Sequence, residues 1–217
     1  MFVMSEANSN TKDSSMSAPT SIKSTQISPD FVKLFSPPSP DPAATESARF
    51  TGELPFNYKL IFKELWEQGE TLPEWNSQVE IFHYLKEISS NFIIGYQITA
   101  PLAFGLVSQR DFVGLAHYEF EESKNTLWLT TVSVEFSGMP ELEKYVRGFH
   151  LPGSGVKLEA SQESPENKTI FTWIFIPDLK FGYIPSSIMK KVLPAQIKLY
   201  YESLRARLFQ VYPSNHL

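Results

Sequence analysis

Few residues in the chain have the types or spacing that covalent or metal chemistry requires. No cysteine is present among the 217 residues, which excludes disulfides, thiolate nucleophiles and cysteine-ligated zinc. The histidines are His83, His117, His150 and His216. They show no His-x-x-x-His or histidine–carboxylate spacing, so the sequence predicts no metal site.

Asp111 and Glu135 are two carboxylates that could be drawn as a general acid and a general base. Charges at the ends of strands usually face solvent, and no nucleophile motif or phosphate-binding loop accompanies this pair. We therefore expect no catalytic residues, no enzymatic activity and no cofactor.

Residues suited to binding are more informative than residues suited to catalysis. The chain holds 17 Phe, 9 Tyr and 4 Trp, most of which would build a hydrophobic core. Gln97, Thr131 and Ser133 lie on the same face of their predicted strands as apolar core positions. A mostly apolar strand face with isolated polar groups is typical of a ligand cavity, in which one polar group orients a hydroxyl or a lipid head.

Charge is distributed unevenly along the chain. The net charge of −5 disfavours a nucleic-acid-binding protein, yet residues 185–209 carry a net charge of +4. A cationic amphipathic helix suits an anionic membrane surface, although an ordinary solvated helix face explains the pattern equally well. The membrane-contact candidates are Lys190, Lys191, Lys198, Arg205 and Arg207.

Hydrophobic periodicity predicts the elements that would position these residues. Residues 56–67 have helical spacing, and residues 185–209 carry one helical apolar stripe that Pro194 should kink. Between them, a period of two predicts six strands at residues 79–85, 92–98, 112–120, 126–136, 156–161 and 169–176. An α+β fold, with a curved antiparallel sheet wrapped around the long C-terminal amphipathic helix, buries both apolar faces.

Residues 1–48 differ in composition from the rest of the chain. They hold 11 Ser and 6 Pro, and their Ser-Pro steps block regular helix and strand. The segment is predicted to be a disordered tail, with the apolar cluster at residues 31–35 as a stray tether. We expect one folded domain at residues 49–212, followed by a short C-terminal tail at residues 213–217.

Five segments resemble one known family. The sequence PLAFGLVSQRDFV at residues 101–113 is similar to a segment of START domains, the lipid-transfer domains related to the steroidogenic acute regulatory protein. PEWN at residues 73–76 resembles a turn of the same domains, and KYVRG at residues 144–148 followed by PGSG resembles their sterol-binding subgroup. Trp173 and DLK at residues 178–180 look like the last strand and the approach to the last helix.

The resemblance implies a helix-grip fold in which the C-terminal helix closes a tunnel that holds one lipid. In the sterol-binding subgroup a buried carboxylate and an arginine on adjacent strands lie near the sterol hydroxyl. The matching positions here are Gln97 and Ala116, so both charges are absent. Losing both together avoids an unpaired buried charge, and the Gln97 amide can still bond a hydroxyl. The other predicted lipid-binding residues are Leu129, Thr131, Ser133, Leu193, Ile197 and Tyr200, and the predicted gate loop contains Pro101, Phe104 and Gly105.

START domains normally begin with a helix and two strands ahead of the strand that residues 49–54 resemble. The resemblance therefore implies an N-terminally truncated domain with an exposed sheet edge. We expect a cytoplasmic protein that binds one lipid, with a sterol favoured, and transfers it between membranes through peripheral contact. The alternatives are a phospholipid carrier and a scaffolding protein with an opened cavity. A third alternative, a thioesterase, is weak because the sequence shows no set of catalytic residues. The oligomeric state is left open.

Overall fold

The structure, a computed structural model, describes residues 32–34, 47–101, 105, 107–180 and 186–213, without the side chains of residues 32–34, 186, 188 and 189. The helices are α1 (Tyr58–Phe62), α2 (Leu72–Trp75) and α3 (Ser186–Val211). The strands are β1 (Val32–Leu34), β2 (Ala48–Leu54), β3 (Val79–Ser89), β4 (Phe92–Thr99), β5 (Arg110–Glu121), β6 (Thr126–Phe136), β7 (Val146–Arg147), β8 (Phe149–His150), β9 (Gly155–Ala160), β10 (Thr169–Phe175) and β11 (Pro177–Asp178).

Seven strands form the main path of one antiparallel sheet, in the order β2-β10-β9-β6-β5-β4-β3. β3 to β6 follow one another as a meander, whereas β2 crosses the chain to pair with β10, with Leu54 opposite Thr169. β7 adds a short parallel pair to the start of β5, and β8 and β11 form a separate ribbon. The predicted α+β fold with a helix-gripping antiparallel sheet is confirmed.

The predicted first helix changes its geometry soon after it begins. Asn57 caps α1, because its side-chain oxygen accepts a hydrogen bond from the Lys59 N–H at 2.9 Å. The α-helix then widens into a π-helical turn at Lys63–Glu67, which is followed by a 3-10 turn at Gly69–Thr71 and by α2. π-helical turns are frequent at functional sites.

The C-terminal helix α3 runs without a break through Pro194. Its Leu204 and Leu208 are fully buried against the aromatic and aliphatic side chains of β2, α1 and β10. Ile197 and Leu193, two and three turns before Leu204 on the same stripe, are also buried. The helix therefore closes the inner face of the sheet along the stripe that its apolar spacing predicts.

A second hydrophobic cluster lies on the opposite face of β3 to β6. It contains Ile94, Tyr96, Ile98, Val113 and Val134, and Met139 and Tyr145 of the following loop pack against it. Strands that bury side chains on both faces contain long apolar runs rather than a clean alternation. This explains why residues 92–98 hold few polar residues.

Part of the predicted tail forms a strand. β1 pairs antiparallel with the end of β6, which places Lys33 opposite Glu135 in the register. An isolated three-residue strand has no periodicity to detect, and the pairing depends on a partner about 100 residues away. Most of residues 1–48 lie outside the described residues, so the domain boundary at residue 49 stays a prediction.

Candidate functional site

Small residues on neighbouring strands leave space on the inner face of the sheet. Gly95 of β4 lies directly opposite Gly114 of β5, and Ala116 of β5 lies opposite Thr131 of β6. Alternate residues of a strand share one face, so these positions together form a floor of backbone and short side chains. A Cβ atom at position 114 would lie only 3.0 Å from Thr131 Oγ1, so a side chain there would require Thr131 to shift.

A cavity of about 280 Å³ lies between this floor and α3. A side chamber of about 90 Å³ shares several walls with it, including Gln97, Ala116, Thr131 and His150. The main chamber is close to the lower end of the roughly 300–1,000 Å³ that small-molecule sites occupy. Among the described residues that line the two chambers, none is a lysine or an arginine.

Seven of the eight predicted lipid-binding residues line the main chamber. They are Gln97, Ala116, Leu129, Thr131, Leu193, Ile197 and Tyr200. Ser133 was wrongly expected to line it, since it is buried beside the chamber and its hydroxyl accepts a hydrogen bond from the His150 N–H at 2.8 Å. Strand parity placed Ser133 on the correct face but did not show that β8 would cover it.

Three of the cavity-lining residues carry polar groups without a protein partner. The side chains of Gln97, Thr131 and Tyr200 make no hydrogen bond to the described residues. Their polar atoms retain some accessible surface. Their accessible surface therefore faces the cavity, where a ligand or water can bond to them. Three further polar atoms of described cavity residues are fully buried and have no hydrogen-bond partner among the described residues: Trp75 Nε1, Asn76 Nδ2 and His150 Nδ1.

His150 is one of the cavity residues that the sequence did not reveal. Its ring lies between Phe112 and Phe175, at centroid distances of 4.6 and 5.8 Å. Burial in this apolar setting lowers its pKa from 6.5 to about 4, so the imidazole is neutral at pH 7. The two-residue strand β8 has no periodicity that could have assigned His150 to the interior.

Acidification from pH 7 to pH 5 is expected to destabilise the protein by about 2 kcal/mol through His150. Below pH 6.5 the unfolded chain binds a proton that the folded protein, with a pKa of about 4 for His150, does not bind. The stability from this group is therefore complete above pH 6.5 and is lost as the pH falls towards 4. Urea unfolding at both pH values measures the loss, and a His150→Gln variant should show much less of it. An unchanged pH dependence in the variant would contradict the assignment.

The predicted gate loop is described in part. Pro101 and Gly105 are exposed, and Gly105 has a φ of 87°, which favours glycine. Phe104 lies outside the described residues. Directly after the loop, the buried Arg110 donates from Nε to the Leu179 carbonyl at 3.0 Å and so ties the start of β5 to the segment ahead of α3.

The predicted cationic face of α3 is smaller than the sequence indicated. Lys190, Lys191, Lys198 and Arg205 are exposed. The structure corrects the prediction for Arg207, which does not belong to this face. Residues nine apart point to opposite sides of a helix, so Arg207 faces away from Lys198.

Arg207 instead belongs to a buried ion pair. Its Nε donates to Glu64 Oε2 at 3.0 Å, and the Tyr212 hydroxyl donates to Glu64 Oε1 at 2.8 Å. The Glu64 side chain is 2% exposed, so its charge needs both partners. This contact fastens the π-helical turn to the last turns of α3.

The expectation that Asp111 faces solvent at a strand end is also wrong. It is fully buried, and Arg147 of β7 donates to both of its carboxylate oxygens, at 3.1 and 2.8 Å. The Tyr96 hydroxyl donates to the same carboxylate at 3.3 Å, and burial together with this carboxylate raises the pKa of Tyr96 to about 12. Asp111 holds β7 against β5 and does not line the cavity.

Neither a metal cluster nor a membrane span is found in the part of the chain that the structure covers. No group of three or more His, Asp or Glu side chains there could hold a metal ion. No helix among those residues is long and apolar enough to cross a bilayer.

A curved antiparallel sheet, closed by a C-terminal helix over a mostly apolar cavity, defines a helix-grip protein with an internal cavity. The chain belongs to the START domain family, because the family model described as START domain matches residues 10–211. The match includes much of residues 1–48.

Relatives and solved structures are similar to this chain over most of its length. The mitochondrial steroidogenic acute regulatory proteins of Danio rerio and Homo sapiens are 32% and 34% identical to it over 148 residues, or 68% of this chain. The chain spans about half the length of these relatives. The structure of human StAR-related lipid transfer protein 5 has a TM-score of 0.68 at 22% identity and covers 80% of this chain and 90% of its own. A STAR-related lipid transfer protein fragment from Xanthomonas axonopodis has a TM-score of 0.60 at 17% identity, with coverages of 82% and 92%.

Proposed function

We propose that this protein binds one uncharged lipid, with a sterol favoured, in the cavity beneath α3 and transfers it between membranes without catalysing a reaction. The observation that carries the proposal is the cavity itself, which is lined by apolar side chains and a few uncharged polar groups. Apolar burial of about 25 cal/mol per Å² supplies the driving force. The amide of Gln97 and the hydroxyl of Thr131 then receive the polar end of the lipid.

The charge of the cavity supports a sterol over a phospholipid. A phosphate buried without a cation is costly, and the described cavity walls contain no lysine or arginine. Glu64 is the acidic residue at the wall, and Arg207 already neutralises it. The similarity to steroidogenic acute regulatory proteins and to lipid transfer proteins agrees with a lipid ligand.

The scaffolding alternative predicts a cavity that is open or absent. A cavity with a floor, a roof and a side chamber is present among the described residues, which favours binding over scaffolding. The test is to purify the protein from cells, identify bound lipids by mass spectrometry and measure sterol transfer between vesicles. Consistently empty protein that transfers no sterol would overturn the proposal.

The exposed cations of α3 are the proposed membrane contact. Lys191, Lys198 and Arg205 are spaced by seven residues and so share one side of the helix. Lys198 lies 3.7 Å from Glu202, and Arg205 lies over the ring of Phe209. Lys190 is exposed near the start of the same helix.

Replacing Lys191 and Arg205 with glutamine is expected to weaken binding to anionic vesicles about 30-fold. Each cation near such a surface contributes about 1 kcal/mol, so two contribute about 2 kcal/mol. Vesicle co-sedimentation at low and high salt measures the loss, which salt should reduce. Lys86→Gln, an exposed lysine on β3, is the matched control. Equal losses in both variants would show that the contact is not on α3.

A further inference from the structure

The strand β2 lies at one end of the main sheet, where β10 is its only partner strand among the described residues. The pairing is regular, because seven consecutive residues of β2 have partners on β10 without a register shift. The second edge of such a strand presents backbone N–H and C=O groups to whatever lies beside it. One β2 carbonyl, that of Glu53, accepts from the Tyr201 hydroxyl at 2.5 Å, and a carbonyl oxygen has a second lone pair. The edge of β2 can therefore pair with a further strand.

The opposite edge of the sheet, β3, is protected in ways that β2 is not. Its pairing with β4 contains three register shifts, and such bulges twist an edge strand away from further pairing. Glu70 also caps this edge, because its Oε1 accepts from the Tyr84 N–H at 3.1 Å. The described strand that precedes β2 in the chain, β1, pairs with β6 and so leaves β2 uncovered. Of the two ends of the main sheet, β2 is the one suited to a partner.

The sequence of β2 is complementary to itself in the antiparallel direction. Its five central residues are Arg49, Phe50, Thr51, Gly52 and Glu53. A two-fold axis through Thr51 would place Arg49 of each copy opposite Glu53 of the other. Opposite charges that face each other across two strands stabilise the pair. The same register places Phe50 opposite Gly52, where an aromatic ring can cover the glycine of the neighbouring strand.

The charged side chains of β2 are free to reach such a partner. Arg49, Thr51 and Glu53 are exposed and alternate along the strand, so they share one face. Arg49 makes no ion pair with the described residues. Glu53 Oε1 lies 3.1 Å from Lys168 Nζ, but the Glu53 side chain is 44% exposed, so its other oxygen remains accessible.

We propose that β2 forms an antiparallel pair with β2 of a second copy of this chain, which joins the two main sheets into one continuous sheet. The interface is isologous, because the same strand is used by both copies, and it closes as a two-fold symmetric dimer. Main-chain hydrogen bonds supply affinity, and the two Arg49–Glu53 pairs fix the register. The proposal goes beyond the proposed function, since it concerns the sheet edge and leaves each copy its own cavity.

The register is tested with cysteine, which the chain otherwise lacks. Thr51→Cys places two thiols opposite each other on the two-fold axis, so mild oxidation should convert most of the protein into a covalent dimer. Arg49→Cys is the matched control on the same edge. Its two copies are four residues apart along the paired strands, or about 14 Å, which is too far for a disulfide. Equal cross-linking of both variants would indicate random collision and overturn the proposal.

The charge pairing is tested by reversal. Arg49→Glu and Glu53→Arg should each raise the dissociation constant of the dimer about 30-fold, because each variant turns two attractive pairs into repulsive ones. An equimolar mixture of the two variants should dimerise as tightly as the wild type, since every charge then faces an opposite one. Lys86→Glu, an exposed position on the opposite edge strand, is the control and should dimerise normally. Sedimentation equilibrium of the full chain measures all of these constants.

Wild-type protein that remains monomeric up to about 100 μM would overturn the proposal, and the edge would then belong to another segment of the chain or to a different protein. A dimer that tolerates both charge reversals, or a mixture that fails to restore it, would overturn the proposed register and interface. Lipid binding by a monomeric chain would leave the proposed function intact.

Discussion

Replacing Ala116 with phenylalanine is expected to abolish lipid binding while the protein stays folded. Ala116 lines both chambers and lies beside Gly114 on the open floor of the cavity. The added ring occupies the side chamber and the adjoining part of the main chamber. Ligand affinity should fall by at least about 100-fold, because a ligand and the ring cannot share this space without strain.

The unliganded Ala116→Phe protein should be as stable as the wild type or more stable by about 1 kcal/mol, since filling an existing cavity adds contacts. Displacement of a fluorescent sterol measures binding, and thermal unfolding measures stability. Glu119→Phe, on the exposed side of the same strand, is the control and should bind normally. Unimpaired binding by Ala116→Phe would show that the lipid lies elsewhere.

Replacing Arg147 with alanine is expected to destabilise the protein by about 3–5 kcal/mol. The change leaves the Asp111 carboxylate buried without its bidentate partner. It also frees the Pro140 carbonyl, to which Arg147 donates at 3.1 Å, and so loosens the loop that covers the outer hydrophobic cluster. Urea unfolding measures the loss.

The double variant Asp111→Asn and Arg147→Met is expected to lose less stability than the sum of the two single variants, because it removes both charges. An exposed ion pair provides the comparison. Lys124 and Glu121 lie 2.7 Å apart, yet both are accessible, so Lys124→Met should change stability by less than about 1 kcal/mol. Similar losses for Arg147→Ala and Lys124→Met would contradict the role of burial.

Local periodicity predicted the strands of the meander and the last helix. Residues 126–136 are rich in β-branched and aromatic residues over a full strand, and the apolar stripe of α3 continues for about five turns, so each pattern contains many independent positions. The same strand parity placed Gln97 and Thr131 at the cavity. Parity is a property of the pleated backbone and needs no knowledge of distant contacts.

Contacts between distant residues could not be predicted. Arg207 looked like a surface cation because its partner, Glu64, lies 143 residues earlier in the chain. Asp111 looked like a solvated strand end because the two-residue strand β7, which supplies Arg147, has no period. His150 entered the cavity through the equally short β8. For Asp111 and His150 the burial was decided by an element too short to leave a pattern.

The pairing of β2 with β10 sets the order in which this domain can be completed during synthesis. Leu54 cannot pair with Thr169 until Thr169 has been synthesised. The core around Phe56 also needs Leu204 and Leu208 from the last helix. Contacts between such distant parts of a chain form slowly. On the ribosome, the meander can assemble first, but the chamber gains its roof only after α3 has been synthesised. The proposed lipid can therefore enter a closed chamber only after that point, and it cannot serve as a template for the earlier half of the domain.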